Sequence, residues 1–217
     1  MAHAAVPDNV DPRSAALLRR AYDLTDPADG QQLYEEWAET YDATMLDGLR
    51  YASPRLLVEA AVRHMPDLSV PVLDLGCGTG LVGVELASYG ATTIDGVDLS
   101  ASMMEVAARR GVYRAFIEAD LTRPLPIASC AYGAAVCAGT FTSGHVDASC
   151  LDEVVRVLAT GGVLACTVHH AVWSVNGFDV AFDRLTSIGR LREIERREIG
   201  FYDNTDADGL LVLFRVT

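Results

Sequence analysis

Positive charge is scarce in this sequence, which contains no lysine. Its 17 basic residues are therefore all arginines, and with 30 acidic residues the formal net charge is −13. Nucleic acids and anionic membranes are bound by clustered Lys and Arg, so this balance argues against either as the main partner. Several arginines near the C-terminus stand among Glu193, Glu195 and Glu198, and we expect them to form a solvated, charge-balanced face.

Long apolar runs and patterned cysteines are also missing. No apolar run reaches the roughly 18 residues of a membrane-spanning helix, and residues 1–14 lack the apolar segment typical of a signal peptide. The five cysteines are odd in number, and no Cys or His spacing matches that of a zinc site. We therefore expect reduced cysteines, no bound metal and a cytoplasmic location. We further expect a monomer or a homodimer.

From residue 71 onward, apolar runs alternate with helical patterns. Strands are predicted over 71–76, 92–100, 114–121, 132–139 and 162–169, and helices over 80–90, 101–111, 148–162 and 178–189. Two last strands, 191–202 and 209–217, flank only a short turn and should therefore pair antiparallel. The pattern predicts an α/β fold, in which helices cover both faces of a seven-stranded, mostly parallel, Rossmann-like sheet.

The N-terminal part of the chain is predicted to be helical. We expect residues 1–65 to form a cap or lid, and residues 66–217 to form the core of one compact unit. Residues 26–30 have the composition of a turn. Aromatic residues then recur at helical spacing, which predicts either a wall over a ligand or the packed face of an amphipathic helix. These residues are Tyr34, Trp37 and Tyr41.

A cluster of glycines, Gly76, Gly78 and Gly80, follows the first strand of the core. Glycine inside an element costs stability, so the cluster indicates that a ligand approaches the backbone closely. At this edge of a parallel sheet, the next helix presents free N–H groups. Residues 78–83 also match the dinucleotide pattern GxGxxG, but counting from Gly76 places Leu81 at the third glycine position.

Carboxylates stand at the ends of the first three core strands. Asp74 precedes the glycines, where a carboxylate suits a cationic group better than a pyrophosphate. Asp98 ends the second strand, where an acidic residue accepts hydrogen bonds from a ribose diol. Asp120 would accept from an exocyclic amine or serve only as a turn residue, and Met103 would pack on a purine or only in the core. An adenosine-type methyl donor and a dinucleotide both fit these residues.

In combination, the segments VLDLGCGTG, GVDLS followed by MM, and EADL resemble the class I S-adenosylmethionine-dependent methyltransferases. Within that class the chain is most similar to the methyltransferase-like protein 27 group. The segments that carry this similarity are YEEWAETYD (34–42), DLGCGTGLVGVEL (74–86), DGVDLSASMMEVAARRGVY (95–113) and VCAGTFTSGHV (136–146). The resemblance implies the seven-stranded fold, S-adenosylmethionine as methyl donor and S-adenosylhomocysteine as product, but it implies no acceptor.

The resemblance also implies roles for individual residues. The implied cofactor-binding residues are Tyr34, Trp37 and Tyr41 from the cap, Asp74, Gly76 and Gly78 around the methionine part, Asp98 at the ribose, Leu99 and Met103 on either side of the adenine, Asp120 and Leu121 at its edge, and Ala138 near the sulfonium. The acceptor would enter above the fourth and fifth strands.

Methyl transfer from a sulfonium is an in-line displacement, so the protein mainly aligns the nucleophile, the methyl group and the sulfur. A histidine near its pKa would remove a proton from an oxygen or nitrogen nucleophile. His145 is the preferred candidate, followed by His169 and His170, and only one of that pair is expected to face the pocket because adjacent strand residues point to opposite sides. The candidate acceptor-binding residues are Thr140, Phe141, Thr142 and Trp173.

The resulting interpretation is a methyltransferase that acts on a small-molecule acceptor, because the chain leaves little room for a separate acceptor domain. Two alternatives stay open. An NAD-dependent oxidoreductase would use the GxGxxG match and Asp98, although a sequence without lysine cannot contain the catalytic Tyr-x-x-x-Lys pair. A non-catalytic, cofactor-binding partner subunit would keep the cofactor residues and lose the acceptor site.

Overall fold

Helices and strands alternate through most of the chain in the computed structural model, which describes residues 12–22, 27–65, 67–142, 146–203 and 205–217. The helices are α1 (Pro12–Tyr22), α2 (Pro27–Trp37), α3 (Ser53–Val62), α4 (Leu81–Ser88), α5 (Ala101–Ala108), α6 (Leu151–Val157), α7 (His170–Trp173) and α8 (Phe178–Ser187). The strands are β1 (Val72–Leu75), β2 (Ile94–Asp98), β3 (Ala115–Glu118), β4 (Tyr132–Phe141), β5 (Leu158–His169), β6 (Leu191–Ile199) and β7 (Gly209–Val216).

The strands form one seven-stranded sheet in the order β3-β2-β1-β4-β5-β7-β6. β1 pairs in parallel with both β2 and β4, so that Val72 faces Ile94 on one side and Ala134 on the other. β7 runs antiparallel to β5 and to β6. These pairings confirm the predicted, mostly parallel sheet and its antiparallel last strand. The strand order reverses between β1 and β4, and α/β sheets bind their ligands at such a point.

Apolar layers cover both faces of the sheet. On one face, α6 and α8 pack against it, with Phe178, Phe182 and Phe214 fully buried. On the other face, Val58 of α3 and Leu86 of α4 are fully buried. Because the central strands are covered on both sides, they are continuous apolar runs in the sequence. This is the physical reason why the positions of the strands were predictable.

The N-terminal helices form a separate apolar cluster, and we call residues 12–22 and 27–49 the cap. Its buried members are Leu17, Leu33, Trp37, Met45 and Leu49. α3 does not belong to this cluster, because Leu57 and Val58 pack in the layer that α3 shares with α4 against the sheet. We therefore propose that the cap ends near Leu49 rather than at residue 65.

Local differences from the expected elements occur at two places. The predicted turn over 26–30 is, from Pro27 onward, the first turn of α2, because proline is favoured at the first helical position. The predicted helix over 148–162 ends early, because Leu158 pairs with Tyr132 and starts β5.

Among the described residues, no helix combines the length and the apolar composition that crossing a membrane requires. The same residues contain no group of His, Cys, Asp and Glu side chains arranged to hold a metal. All five cysteines are free thiols, of which only Cys130 is exposed. Burial raises the pKa of Cys137 and Cys166, so these two are packing residues rather than nucleophiles.

Candidate functional site

A cleft of about 900 Å³, counted out to its open mouth, lies over the carboxyl ends of the parallel strands. Core residues form most of the wall, and the cap adds the rest. The core lining is Gly76, Gly78, Asp98, Leu99, Ser100, Met103, Ala119, Asp120, Leu121, Thr122, Ala138, Gly139, Thr140 and Val146, and the cap lining is Gly30, Tyr34 and Tyr41.

The glycine loop, Gly76–Gly80, connects β1 to α4 and exposes its backbone to the cleft. Gly76 has a φ of +67°, which is a region that favours glycine. A β-carbon on Gly76 would lie 2.1 Å from the hydroxyl oxygen of Thr140. The end of β4 therefore approaches this loop more closely than any side chain at Gly76 allows, which explains the glycine that the sequence places there.

Asp98 ends β2 with its carboxylate held by the backbone. Oδ2 accepts the N–H of Gly78 at 2.8 Å, and Oδ1 accepts the N–H of Ser100 at 2.9 Å. Burial raises the pKa of Asp98, while the backbone N–H groups of Ser100, Gly78 and Leu99 oppose the rise. The residue lines the cleft, so its carboxylate is fixed where a ligand hydroxyl can reach it.

Beyond β2, the wall of the cleft is an apolar slot followed by a polar turn. Leu99 and Met103 line the slot, and Ser100 caps α5 by accepting the N–H of Met103 at 3.3 Å. At the turn, Oδ1 of Asp120 accepts the N–H of Thr122 at 2.8 Å and its hydroxyl at 2.6 Å. Asp120 is thus both a turn residue and a lining residue, so the two interpretations of it do not exclude each other.

Asp74 lies fully buried beneath the glycine loop and does not line the cleft. Oδ2 accepts the hydroxyl of Tyr113 at 2.6 Å, and that hydroxyl oxygen accepts the N–H of Gly83 at 3.1 Å. Within the described part of the chain, Oδ1 has no hydrogen-bond partner. Burial raises the pKa of Asp74 to about 7; the Tyr113 bond lowers it, and the charge of Asp98 raises it further. One buried acceptor oxygen is therefore unused.

Asp74→Asn is expected to make the ligand-free protein more stable at about pH 8 but not at about pH 4. The pKa of Asp74 is about 7 in the folded state and about 3.9 in the unfolded chain, so the wild type loses stability as pH rises between these values. The loss is on the order of a few kcal/mol. Urea denaturation of both proteins across this pH range measures the difference.

Asp67→Asn is a control of opposite sign. Hydrogen bonds from Ser69 lower the pKa of Asp67, so the wild type gains stability from this exposed group as pH rises. The asparagine variant should therefore be slightly less stable than the wild type near neutral pH. If the stability curves of wild type and Asp74→Asn stayed parallel between pH 4 and 8, Asp74 would not be titrating as a buried carboxyl.

The cap reaches the cleft through two tyrosines. Tyr34 and Tyr41 line it, whereas Trp37 is only 1% exposed and stacks on Tyr34 with ring centroids 6.1 Å apart. The indole N–H of Trp37 donates to the hydroxyl of Thr44 at 3.4 Å. The aromatic stripe of the sequence is therefore divided, because Trp37 forms the apolar centre of the cap and the tyrosines form a wall of the cleft.

Only part of the predicted acceptor region reaches the cleft. Ala138 and Thr140 line it, and the Thr140 hydroxyl donates to the carbonyl of Leu75 at 3.2 Å. Phe141 is fully buried in the core, and Thr142 lies outside the lining. The alternation of side chains along β4 explains why Phe141 points away from its neighbour Thr140.

Trp173 also lies away from the cleft lining. Its ring stacks on that of Phe182 with centroids 6.0 Å apart, and the guanidinium of Arg196 lies 5.1 Å from the ring centroid. Trp173 packs against the apolar layer that α6 and α8 form on the sheet. Its part in binding an acceptor stays a prediction.

Of the three candidate histidines, His145 lies outside the described residues. Nδ1 of half-buried His169 accepts the N–H of Ala171 at 3.1 Å. Burial lowers the pKa of His169, and a neutral imidazole that accepts at Nδ1 carries its proton on Nε2. His169 therefore presents a donor rather than a base. His170 is exposed, with Nε2 2.6 Å from the carboxylate of Glu198, and does not line the cleft.

Several lining residues were not predicted from the sequence. Ser100 had a local signal, since it stands directly before a helical pattern as N-caps do. Gly139 had a weaker one: its φ is +77°, and a β-carbon there would lie 2.4 Å from the Tyr51 hydroxyl oxygen. Gly30 and Val146 carry no local signal, because only the tertiary fold brings them to the cleft.

The lining fits a nucleoside that carries a cationic tail. Asp98 offers a fixed carboxylate to a diol, and the slot between Leu99 and Met103 offers an apolar surface to a purine. The unused buried oxygen of Asp74 suits a positively charged donor behind the glycine loop. A pyrophosphate has no comparable partner, because the carboxylates on this side would repel it.

Comparison with known proteins places a methyltransferase domain over residues 72–162. Methyltransferase-like protein 27 of Homo sapiens is 33% identical over 159 residues, which are 72% of this chain and 64% of that protein. Trans-aconitate 2-methyltransferase of Rhizobium etli is 30% identical over 59% of this chain and 48% of its own. An 18S rRNA (guanine-N7)-methyltransferase of Arabidopsis thaliana is 34% identical over 41% of this chain and 34% of its own. The chain thus spans less than two thirds of each relative.

Solved structures share the fold across more of the chain. The cyclase SpnF has a TM-score of 0.69 at 18% identity, covering 89% of this chain and 97% of its own. A chain from the complex of the Haloferax volcanii methyltransferase activator Trm112 with a methyltransferase has a TM-score of 0.63 at 19% identity. The match covers 84% of this chain and 97% of that chain. Geranyl diphosphate C-methyltransferase of Streptomyces coelicolor, solved with S-adenosylhomocysteine, has a TM-score of 0.59 at 16% identity, covering 82% and 84%.

At such identities these structures show the fold alone, whereas the domain match and the curated relatives identify the family. Residues 72–162 therefore form a methyltransferase domain, which belongs to the S-adenosylmethionine-dependent methyltransferase family.

Proposed function

We propose that this protein transfers the methyl group of S-adenosylmethionine to a small-molecule acceptor. The observation that carries the proposal is the position of Asp98, whose carboxylate is fixed by backbone N–H groups while it lines a cleft at the strand-order reversal. That arrangement suits a ribose diol. Around it, the exposed glycine loop and the apolar slot suit the two ends of the same cofactor.

In this proposal each part of the lining has one role. Asp98 accepts hydrogen bonds from the ribose hydroxyls, and Leu99 and Met103 pack on the adenine. The remaining proposed contacts are Asp120 and Leu121 at the adenine edge, Gly76 and Gly78 at the methionine part, and Ala138, Tyr34 and Tyr41 near the sulfonium. Asp74 is buried beneath the glycine loop and acts on the methionine part only from behind that loop. Trp37 supports Tyr34 from behind instead of contacting the cofactor.

The cofactor supplies an already activated methyl group, so the residues of the chain need to orient and enclose it. Tyr34 and Tyr41 form a neutral aromatic wall, which holds a cation without the strong charge that would oppose its loss in the transition state. His169 offers a donor at Nε2 rather than a base. We therefore propose that alignment, rather than proton removal by His169, accounts for catalysis.

A small acceptor is favoured by the charge of the surface. Two of the three arginines of β6 are neutralised, because Arg196 and Arg197 pair with Glu193 and Glu195 at 2.6 and 2.8 Å. A macromolecular acceptor is the second candidate. One relative is named for 18S rRNA, and one structural neighbour was solved in a complex with Trm112.

An NAD-dependent oxidoreductase is less well supported. The carboxylates of Asp74 and Asp98 flank the glycine loop, where a dinucleotide needs room for its pyrophosphate. A non-catalytic subunit would have the same cofactor cleft, so only turnover separates it from an enzyme.

The test is an acceptor screen with S-adenosylmethionine labelled in its methyl group. The protein is incubated separately with small-molecule extracts, RNA and protein, and Asp98→Ala serves as the inactive control. We expect label in the small-molecule fraction with the wild type alone. Label only in RNA or protein would overturn the small-molecule acceptor. Cofactor binding without labelling of any fraction would favour the non-catalytic subunit.

A further inference from the structure

Three side chains from distant parts of the chain meet behind the cofactor cleft. Oδ1 of Asp42 accepts the hydroxyl of Thr79 at 2.6 Å. Arg110 donates from one nitrogen to Oδ2 of Asp42 and from another to the carbonyl of Thr79. Thr79 is only 2% exposed, and the side chains of Arg110 and Asp42 are 22% and 34% exposed. The three residues thus form a closed, partly buried ring of hydrogen bonds.

Each member of the ring stands next to a wall of the cleft. Asp42 follows the lining residue Tyr41, and Thr79 lies inside the glycine loop. Arg110 follows the end of α5, the helix that carries Met103 at its other end. The ring of hydrogen bonds therefore connects the cap, the glycine loop and the C-terminal end of α5.

The base of the cap is attached elsewhere. The N–H of Ala52 donates to the carbonyl of Phe201 at 2.8 Å, and Tyr51 forms a bridge with Tyr202. These contacts lie just beyond the proposed end of the cap, whereas Asp42 lies within it. Besides these contacts at the base, the cap is held by the partly buried ring at Asp42 and by the exposed pair of Glu39 with Arg109. Because an exposed pair contributes little, the cap can pivot about its base when the contact at Asp42 breaks.

We propose that Asp42 is a positioning residue, which holds the cap closed against the glycine loop and thereby retains the cofactor. This inference rests on the proposed function, because it assumes that the cleft binds S-adenosylmethionine and S-adenosylhomocysteine. Asp42 itself is not a lining residue of the cleft. It acts through its neighbour Tyr41, which belongs to the cap, and through Thr79, which belongs to the glycine loop.

The expected effect falls on ligand release more than on stability. With the ring intact, the tyrosine wall is in place before the ligand arrives, so little ordering is needed on binding. With Asp42 neutralised, the charge-assisted bonds to Arg110 and Thr79 weaken, and the open cap becomes more populated. The ligand then leaves faster, and its apparent affinity falls by the fraction of time the cap is open.

The test is the binding of S-adenosylhomocysteine to wild type, Asp42→Asn and Glu39→Gln by calorimetry and stopped-flow displacement. Glu39 is the matched control, because its carboxylate pairs with Arg109 at 2.6 Å across the same cap-to-α5 gap while both side chains stay exposed, at 75% and 60%. We expect Asp42→Asn to raise Kd and the dissociation rate about tenfold, and Glu39→Gln to change both less than twofold.

Arg110→Lys is the second variant, since it keeps the charge but cannot donate to both partners as the guanidinium does. It should also speed release, and combining it with Asp42→Asn should add little further effect. If Asp42→Asn and Arg110→Lys fold and bind the ligand like the wild type, or lower only the melting temperature, the proposal is overturned. If the wild type itself does not bind S-adenosylhomocysteine, the proposed function fails instead.

Discussion

Asp98→Ala should weaken the binding of S-adenosylhomocysteine by at least about 100-fold. Two hydroxyl hydrogen bonds to a carboxylate contribute roughly 1.5–3 kcal/mol each. The substitution also removes the acceptor of the Gly78 N–H at 2.8 Å, so the glycine loop loses an anchor at the same time. Titration calorimetry on the folded variant measures the loss directly.

Asp95→Asn is the matched control for this variant. Asp95 lies on the same strand, but its carboxylate pairs with Arg114 and accepts the Tyr132 hydroxyl at 2.8 Å, outside the cleft lining. We expect it to lower stability and to leave the affinity for S-adenosylhomocysteine near that of the wild type. Equal losses of affinity in both variants would mean that Asp98 acts through the sheet rather than on the ligand.

Gly76→Ala should lower the melting temperature by about 5–15 °C and abolish measurable cofactor binding. Its φ of +67° costs an alanine about 1–2 kcal/mol. The new β-carbon would also lie 2.1 Å from the Thr140 hydroxyl oxygen, so Thr140 must rotate and lose its bond to Leu75. The melting temperature falls by about 2–4 °C per kcal/mol for a chain of this size, so the backbone strain and the lost Thr140 hydrogen bond together give the stated decrease.

Gly111→Ala separates the two costs. Gly111 has a φ of +68°, but a β-carbon there meets no atom within 4 Å, so this variant shows only the backbone strain. Introducing Gly76→Ala into a Thr140→Ala background should reduce its cost toward that of Gly111→Ala, because the hydroxyl is removed and only the β-carbon of residue 140, at 3.0 Å, stays close. A cost for Gly76→Ala that is unchanged by removing the Thr140 side chain would show that the close approach is not the cause.

The central strands were predictable from the sequence because burial on both faces makes them mostly apolar, as in β1 and the middle of β5. The glycines after β1 and Asp98 at the end of β2 marked where these two strands end. The antiparallel pairing of β6 and β7 followed from the short connection alone. The boundary between α6 and β5 was not predictable, because the pairing of Leu158 with Tyr132 is a tertiary contact.

The site was most directly predictable where a residue's role depends on its place at a strand end, while Tyr34, Tyr41 and Met103, which also line the cleft, were predicted from the resemblance. Gly76, Gly78 and Asp98 line the cleft as expected, because the fold puts every such position at one edge. Asp74 and Trp37 belong to the same motifs but are buried one layer behind the lining. Sequence spacing specifies which residues are near a ligand, and it does not specify which of them are covered by neighbours such as Tyr113 and Tyr34.

The fold alone does not determine the reaction, since one structure with this fold, SpnF, is a cyclase by name. The most direct test of the account is therefore calorimetric titration of the isolated protein with S-adenosylhomocysteine and, separately, with NAD. The account predicts one S-adenosylhomocysteine bound per chain, loss of that binding in Asp98→Ala and no binding of NAD. Binding of NAD alone would contradict it and would make Gly78–Gly83 a dinucleotide fingerprint.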